Sequence, residues 1–454
     1  VKALYGLRTS GARWAEKLND TLRSLGFTKS NAGSALWIRR KDDHYEYMST
    51  LVDDILIYSK EPQEIIEILE KIYNLRGVGI PDYYSGADWS CDKDGDICLS
   101  AKTYVKNLCE KIEKLFETKL KNYGSPLESG DHPEMDESDL LTGEEISLYQ
   151  MLVGSGQWAV TLTRFDIQFA VNSMARFSNA PRQGHMKRML RVFGYLKYHE
   201  KARIKFDTTL PNYEGLEFKN YDWSQQYPDA EEEIHPDAPE PLKTKQPALI
   251  TCYCDADHAH CLETRRSVTG VIIFVNKTPV KWYSKRQNTV ESSTYGSELV
   301  AARIAAEMII DFRGRLRLLG IEVTGPSVLL IDNQSVVANM TLPSGSLKKK
   351  HNSIAFHKVR FLVSAGVIMV AHVRGNYNVA DVETKAVSAM VVWYLLSMLL
   401  YGRECTYANE PEGELQKSMN NYTQVYTDLG DLTQVPGSNE SIESIESIES
   451  SPDN

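Results

Sequence analysis

From Ala248 to Val373 the chain runs strand, strand, strand, helix, strand, helix, strand, and few folds accept that order. The apolar runs Ala248–Cys254, Val268–Val275 and Val280–Ser284 are close enough together to pair as antiparallel neighbours. A long helical period covers Thr294–Leu319, followed by short apolar runs at Val328–Ile331 and Val367–Val373. Parallel strands need a crossover, so this order predicts a mixed five-stranded sheet covered by helices, an α/β domain of roughly 150 residues. Acids just past the ends of neighbouring strands, or early on an adjoining helix, can converge on one spot of such a sheet. Asp255, Glu298, Asp332 and Asp381 are the four candidates. Acids gathered this way repel one another unless a cation lies among them, and an all-oxygen donor set suits Mg²⁺ or Mn²⁺. Two such ions about 3.5–4 Å apart serve phosphodiester hydrolysis. Surface carboxylates at strand ends are the plainer alternative.

The rest of the chain divides by pattern. At 454 residues, with 42% hydrophobic and 25% charged side chains, there is material for about two to four ordinary domains, and collagen, coiled coil and wholesale disorder are excluded. Residues 1–124 alternate helix and strand: Trp14, Leu18, Leu22 and Leu25 share a helical face, and Tyr45–Leu51 and Ile55–Tyr58 read as strands meeting at Asp53 and Asp54. Asp94-Gly95 marks a hairpin turn, and Asp92, Asp94 and Asp96 fit turn chemistry better than a calcium loop. Residues 125–220 begin with a polar, acidic surface loop, Ser125–Glu145, and continue as helices at Ile146–Leu162, Ile167–Phe177 and Arg182–Tyr198. Arg182, His185, Lys187, Arg188, Arg191 and Lys197 make a basic face, suited to a phosphate backbone or to solvent alike. Residues 221–247, with Glu231-Glu232-Glu233 and five prolines, read as an interdomain linker, and 248–402 as the α/β domain.

The net charge of −10 lies at one end. From Glu404 to Asn454 there are eleven acids against Lys417, so the remainder is neutral. With its Ser-Ile-Glu repeats, 403–454 is expected to be a disordered acidic tail. The apolar run Ala389–Tyr401 is shorter than the roughly 20 residues of a bilayer-spanning helix, so a buried helix is expected and no membrane partner. Seven cysteines without a secretory leader suggest reduced thiols in an intracellular setting, cytoplasm or nucleus unresolved. Cys252, Cys254, His258, His260 and Cys261 crowd together as zinc sites do, but residues two apart on a strand face one side and suit a buried thiol pair better. His351 and His357 fit capping or packing as well as substrate contact, and His372 fits packing within the last strand better than proton transfer.

The words around these acids are specific. YCDADHAHCLETRRSVTGVIIF (Tyr253–Phe274), VESSTYGSEL (Val290–Leu299), IDNQSVV (Ile331–Val337), KKHNSIAFHKVR (Lys349–Arg360) and VADVETK (Val379–Lys385) occur in order. Together they resemble the ribonuclease H domain of copia-type LTR retrotransposon Pol polyproteins. KALYGLRTSGARWAEKL (Lys2–Leu18) and LVDDILIYSK (Leu51–Lys60) resemble the same polyprotein's reverse transcriptase, with Asp53 and Asp54 as its paired catalytic, metal-binding aspartates. LYQMLVGSGQWAVTLTRFDIQFAV (Leu148–Val171) and RFSNAPRQGHMKRMLRVFGYLK (Arg176–Lys197) resemble the region joining the two.

The resemblance implies a truncated reverse-transcriptase palm, a helical connection region and a ribonuclease-H-like sheet, α/β and α+β overall. It places the nuclease's catalytic and metal-binding acids on Asp255, Glu298, Asp332 and Asp381, in preference to Asp257 and Glu291. It implies Mg²⁺ or Mn²⁺, an RNA–DNA hybrid and template-primer as nucleic-acid partners, association with other Pol or particle proteins, and cleavage leaving 5′-phosphate and 3′-hydroxyl ends. Arg265, Arg266, Lys281 and Lys285 are candidates for phosphate contact and equally for solvent. The chain opens at Val1 without the upstream strand that carries a third polymerase aspartate, so a polyprotein piece without DNA synthesis of its own is expected. Leu51 replaces the usual aromatic before Val-Asp-Asp, and Val382-Glu383 replaces an apolar pair before Thr-Lys. A catalytically inactive nucleic-acid-binding remnant, and an integrase or transposase built on the same sheet, are the rival readings.

Overall fold

The chain's first described helix, α1 (Ser10–Ser24), buries Leu18 and Leu22, and ends where Gly26 takes a positive φ of 83°. In this computed structural model residues 9–242, 247–347 and 350–401 are described. The opening of the Lys2–Leu18 word, as far as Arg8, and the acidic tail expected over 403–454 lie outside them. α1 packs on an antiparallel sheet of β1 (Thr28–Lys29), β2 (Leu36–Lys41), β3 (His44–Leu51) and β4 (Asp54–Tyr58), in that order. Helix α2 (Pro62–Glu70), with proline in its first turn, adds Ile65 and Leu69 to a core of Leu22, Phe27, Trp37 and Met48.

A second sheet takes β5 (Tyr83–Tyr84), β6 (Ala87–Cys91) and β7 (Ile97–Ser100), and its fourth strand, β8 (Arg203–Lys205), arrives only after four helices. The Asp92–Asp96 turn is as expected: Asp92 accepts the amides of Asp94 and Asp96, and Lys205 Nζ lies 2.8 Å from Asp92 and 2.7 Å from Asp96. The four helices are α3 (Lys102–Leu115), α4 (Gly143–Leu162), α5 (Gln168–Ala175) and α6 (Gln183–Tyr198), with a Thr142/Glu145 capping box opening α4.

The stretch before α4 departs from the surface loop expected for Ser125–Glu145. Ser125, Leu127 and Glu134 are buried, and Asp131 and Asp136 grip Arg188 of α6. This also revises the basic face of α6. Arg191 meets Glu128, Lys197 meets Glu113, His185 is buried against Phe177, and Lys187 is left exposed. Acids of the preceding loop neutralise Arg188 and Arg191, and Glu113 of α3 neutralises Lys197, because a partly buried cation is stable only beside a counter-charge.

The third sheet has five strands in the order β11-β10-β9-β12-β13, from β9 (Ile250–Asp257), β10 (Val268–Val275), β11 (Thr278–Arg286), β12 (Ser327–Ile331) and β13 (Ile368–His372). β9, β10 and β11 are antiparallel, and β12 runs parallel to both β9 and β13, the mixed sheet the pattern predicts. Helix α7 (Thr294–Leu318) closes on one face through Leu299, Ala302, Ala305, Ala306 and Ile309, whose small side chains allow near approach. α8 (Gln334–Thr341) and α9 (Ser353–Ser364) complete that layer. Cys252 and Cys254 lie in this apolar layer, where burial pushes the Cys252 thiol up, while His260 pairs with Asp257 and Cys261 with Arg176. On the opposite face Val268, Ile272 and Phe274 share one core with α4, α5 and α6 and with α10 (Ala389–Leu396), the buried helix expected of the last apolar run. No described helix is long and apolar enough to cross a membrane.

The stretch from Tyr221 to Leu242 has little regular structure, yet it is tied down. Trp223 is buried under the guanidinium of Arg360, and Glu232 bridges Arg313 and Arg317 of α7. Glu240 meets Arg40 on the first sheet.

Candidate active site

The parallel register decides the site. Ile331 of β12 stands beside Cys254 of β9, so the next residues, Asp332 and Asp255, emerge side by side. Strand β9 continues to Asp257, which places Asp255 within the strand and not at its end as the apolar run suggested. Asp255 pairs with Gly270 of β10. A Cβ on Gly270 would lie 2.7 Å from the carbonyl oxygen of Ala380, so glycine is what allows the helical turn Val379–Glu383 to lie on the sheet. Asn378 anchors that turn: its Nδ2 donates to Cys254 O at 2.9 Å and its Oδ1 accepts from Ala380 N at 3.2 Å. Asp381 is thereby carried over Asp255.

One oxygen each from Asp255, Asp332 and Asp381 lie within 4.8 Å of one another. Among the described residues no other three acids, histidines or cysteines gather so closely. Glu298, in the second turn of α7, is buried, its Oε2 has no hydrogen-bond partner among the described residues, and it lies outside that mutual distance. Burial, then Asp255 and Asp332, raise its pKa to about 10. Burial and then Asp255 raise Asp332, and the same two causes bring Asp381 to about 7 against the pull of Lys385. Four carboxyls held this near share a demand for positive charge.

Lys385 meets part of that demand. Its Nζ is 3.0 Å from Asp381 Oδ1 and 3.6 Å from Asp255 Oδ2, and although burial opposes its charge, Asp255 and Asp381 raise its pKa overall. The Thr384 hydroxyl donates to Asp255 Oδ2 at 2.5 Å. His372 Nε2 lies 3.1 Å from the backbone oxygen of Asp332, a packing and positioning contact. Periodicity does not single out Lys385, Thr384 and Asn378, although Lys385 follows Asp381 by four residues within the VADVETK word.

The other candidates separate cleanly. Glu291 precedes α7 and is buried against His351 Nε2 at 3.0 Å and Asn352 Nδ2 at 3.3 Å, away from the acid group. Asp257 pairs with His260, and His357 Nδ1 meets Tyr227 Oη at 2.7 Å. Lys281 pairs with Asp311 and so leaves the set of free phosphate candidates, while Arg265 is exposed. Asp53 and Asp54 are exposed on the β3–β4 turn, where Val52 takes φ 54° and its carbonyl accepts from Trp14 Nε1 at 2.8 Å. They join no group of three such ligands among the described residues.

Residues 1–123 match the family described as "Reverse transcriptase (RNA-dependent DNA polymerase)". The Retrovirus-related Pol polyprotein from transposon RE1 of Arabidopsis thaliana is 26% identical over 393 residues, covering 85% of this chain and 24% of that protein. The corresponding polyprotein from transposon TNT 1-94 of Nicotiana tabacum is 23% identical over 397 residues, with 85% and 27% covered. A putative transposon Ty5-1 protein of Saccharomyces cerevisiae is 25% identical over 290 residues, covering 62% of this chain and 80% of its own. Over most of its length the chain is similar to retrotransposon Pol polyproteins. The chain spans about a quarter of the length of the RE1 and TNT 1-94 polyproteins. Its solved structural neighbours include RNase H1 of Halobacterium salinarum NRC-1, at 16% identity and a TM-score of 0.23, covering 30% of this chain and 93% of that one. LC11-RNase H1 in complex with RNA/DNA hybrid gives 17% identity and a TM-score of 0.24, with 30% and 93% covered.

Proposed function

We propose that this chain is a divalent-metal-dependent ribonuclease H that cuts the RNA strand of an RNA–DNA hybrid. The observation that carries the reading is the convergence of Asp255, Asp332 and Asp381 within 4.8 Å, with the unpartnered, buried Oε2 of Glu298 beside them. The donor set is all oxygen and carries more negative charge than Lys385 balances, which fits Mg²⁺ or Mn²⁺ better than zinc. Asp255, Asp332, Asp381 and Glu298 would hold the metal, which when bound supplies Lewis acidity and a water of lowered pKa.

The chain's own groups prepare that site. Thr384 holds one Asp255 oxygen by its hydroxyl. Asn378 fixes the turn that carries Asp381, and the β9/β12 register fixes Asp332. Lys385 holds its proton beside Asp381 and lowers the repulsion among the acids until a stronger cation arrives. Choice of the RNA strand would rest on 2′-hydroxyl contacts in the wide minor groove of the hybrid. Asp53 and Asp54, at an exposed hairpin within the reverse-transcriptase match, are proposed as that module's metal-binding pair toward template-primer.

The test is Asp332→Asn, assayed on a labelled hybrid with Mg²⁺. Loss of about 100-fold or more in rate is expected, since about 2.7 kcal/mol of transition-state stabilisation corresponds to that factor. Hybrid cleavage at the unaltered rate would overturn the assignment, and joining or nicking of DNA ends in its place would favour an integrase-type enzyme.

A further inference from the structure

A cavity of about 360 Å³ opens between α5 and the edge of the five-stranded sheet, and its charged lining is all positive: Arg176, Arg266, Lys285 and Arg286, with His260 behind them. Among the described residues none of the four cations is paired with a carboxylate, in contrast to the neutralised cations of α6 and to Lys281. Arg176 Nη2 donates to Cys261 Sγ at 3.0 Å, which aims the guanidinium from α5 across to the β10 side. Asn172 Nδ2 donates to Ser284 O at 2.8 Å and ties α5 to β11, so the two walls keep their separation. Like charges held together in a concavity without a counter-charge are costly unless an anion completes them, and guanidinium forks match the paired oxygens of a phosphodiester.

Position relates this cavity to the acid cluster. Ser284, in its wall, pairs with Gly270, and Gly270 pairs with Asp255, so the three form one row across the sheet on the same face. Two strand spacings separate Ser284 from Asp255, roughly 10 Å. The same short turn spans both ends of the row: Ser284 Oγ donates to Glu383 O at 2.6 Å, and Thr384 Oγ1 donates to Asp255. A nucleic-acid strand lying over the acids would thus bring a backbone phosphate, a few nucleotides away, over the cavity.

We propose that the cavity walled by Arg176, Arg266, Lys285 and Arg286 is a phosphodiester-binding site that holds the backbone of the nucleic acid beside the acid cluster. The site rests on the ribonuclease H reading for the identity of its ligand, and it uses the helical region before the sheet domain as one of its walls. It positions substrate and takes no part in bond cleavage.

The experiment measures binding of the full chain to a fluorescein-labelled RNA–DNA hybrid by anisotropy in EDTA, across a series of NaCl concentrations, with folding checked by circular dichroism. Arg266→Gln combined with Lys285→Gln removes two cations that pair with no carboxylate among the described residues, and Lys285→Gln alone, at an exposed position, serves if the pair misfolds. The double variant is expected to bind about tenfold or more weakly. Its plot of log affinity against log salt should be shallower by about one to two, since each phosphate no longer neutralised takes about 0.9 from the slope. Unchanged affinity and slope would overturn the site, as would a wild-type chain that does not bind the hybrid. Cleavage with Mg²⁺ separates the two proposals: a reduced slope without any cutting sinks the nuclease and keeps the phosphate site, and equal cutting with equal slopes does the reverse.

Discussion

Glu383 should be worth more to the protein as an apolar residue than as an acid. It is fully buried in the turn that carries Asp381, neither carboxylate oxygen has a hydrogen-bond partner among the described residues, and burial followed by Asp166 pushes its pKa well above the usual carboxylate range. What the turn needs from this position is its backbone oxygen, which accepts from Ser284, and its Cβ, which packs at Gly270. Glu383→Met keeps both and removes the unsatisfied group. A buried polar group without a partner costs about 1–3 kcal/mol, so a gain of about 2 kcal/mol is expected. For a cooperative unit of 150–250 residues that is a rise in Tm of roughly 4–8 °C. Glu383→Gln, which leaves a buried polar group in place, should recover little of it. The measurement is thermal unfolding at neutral pH of the three proteins side by side. A Met variant that melts at or below the wild type would show that the carboxyl has a compensating partner and would refute the reasoning.

Two further outcomes follow from the acid cluster. Glu298 has a folded-state pKa raised to about 10, so its contribution to stability is full below its unfolded value near 4.5 and is lost as pH rises toward 10. In metal-free protein the stability advantage of Glu298→Gln over wild type should therefore grow from pH 5 to pH 8, by up to about 1.4 kcal/mol per pH unit. An advantage that shrinks over that interval, followed by urea unfolding, would contradict the environment described for Glu298. Lys385→Met removes the cation resting between Asp381 and Asp255. The variant should melt lower without metal and gain more in Tm than wild type when Mg²⁺ is added, as a scanning-calorimetry titration would read directly. Equal gains would mean that Lys385 does not compete for the site.

The local pattern carried a large part of this molecule. Strand and helix periods gave the element order of the sheet domain, and the position of Asp332 after an apolar run was readable because β12 is short and wholly buried. The end of β9 is not marked in the sequence, because the strand keeps pairing with β10 through Asp257 after its run of apolar residues has stopped. The basic face of α6 looked open because its counter-charges, Asp131, Asp136, Glu128 and Glu113, sit on segments 57, 52, 63 and 84 residues away. Likewise nothing in the proline-rich stretch shows that Glu232 will clasp Arg313 and Arg317.

The chain's linear text therefore determined which acids belong to the candidate centre and which elements deliver them, since both follow from periodicity and from words of adjacent residues. Tertiary structure alone decided that three of those acids meet within 4.8 Å while Glu298 stands outside that distance, that Lys385 rests among them, and that Arg176, at the end of α5, completes a positive cavity. The physical reason is that strand register and burial set charge-to-charge distances, and neither is written in the spacing along the chain.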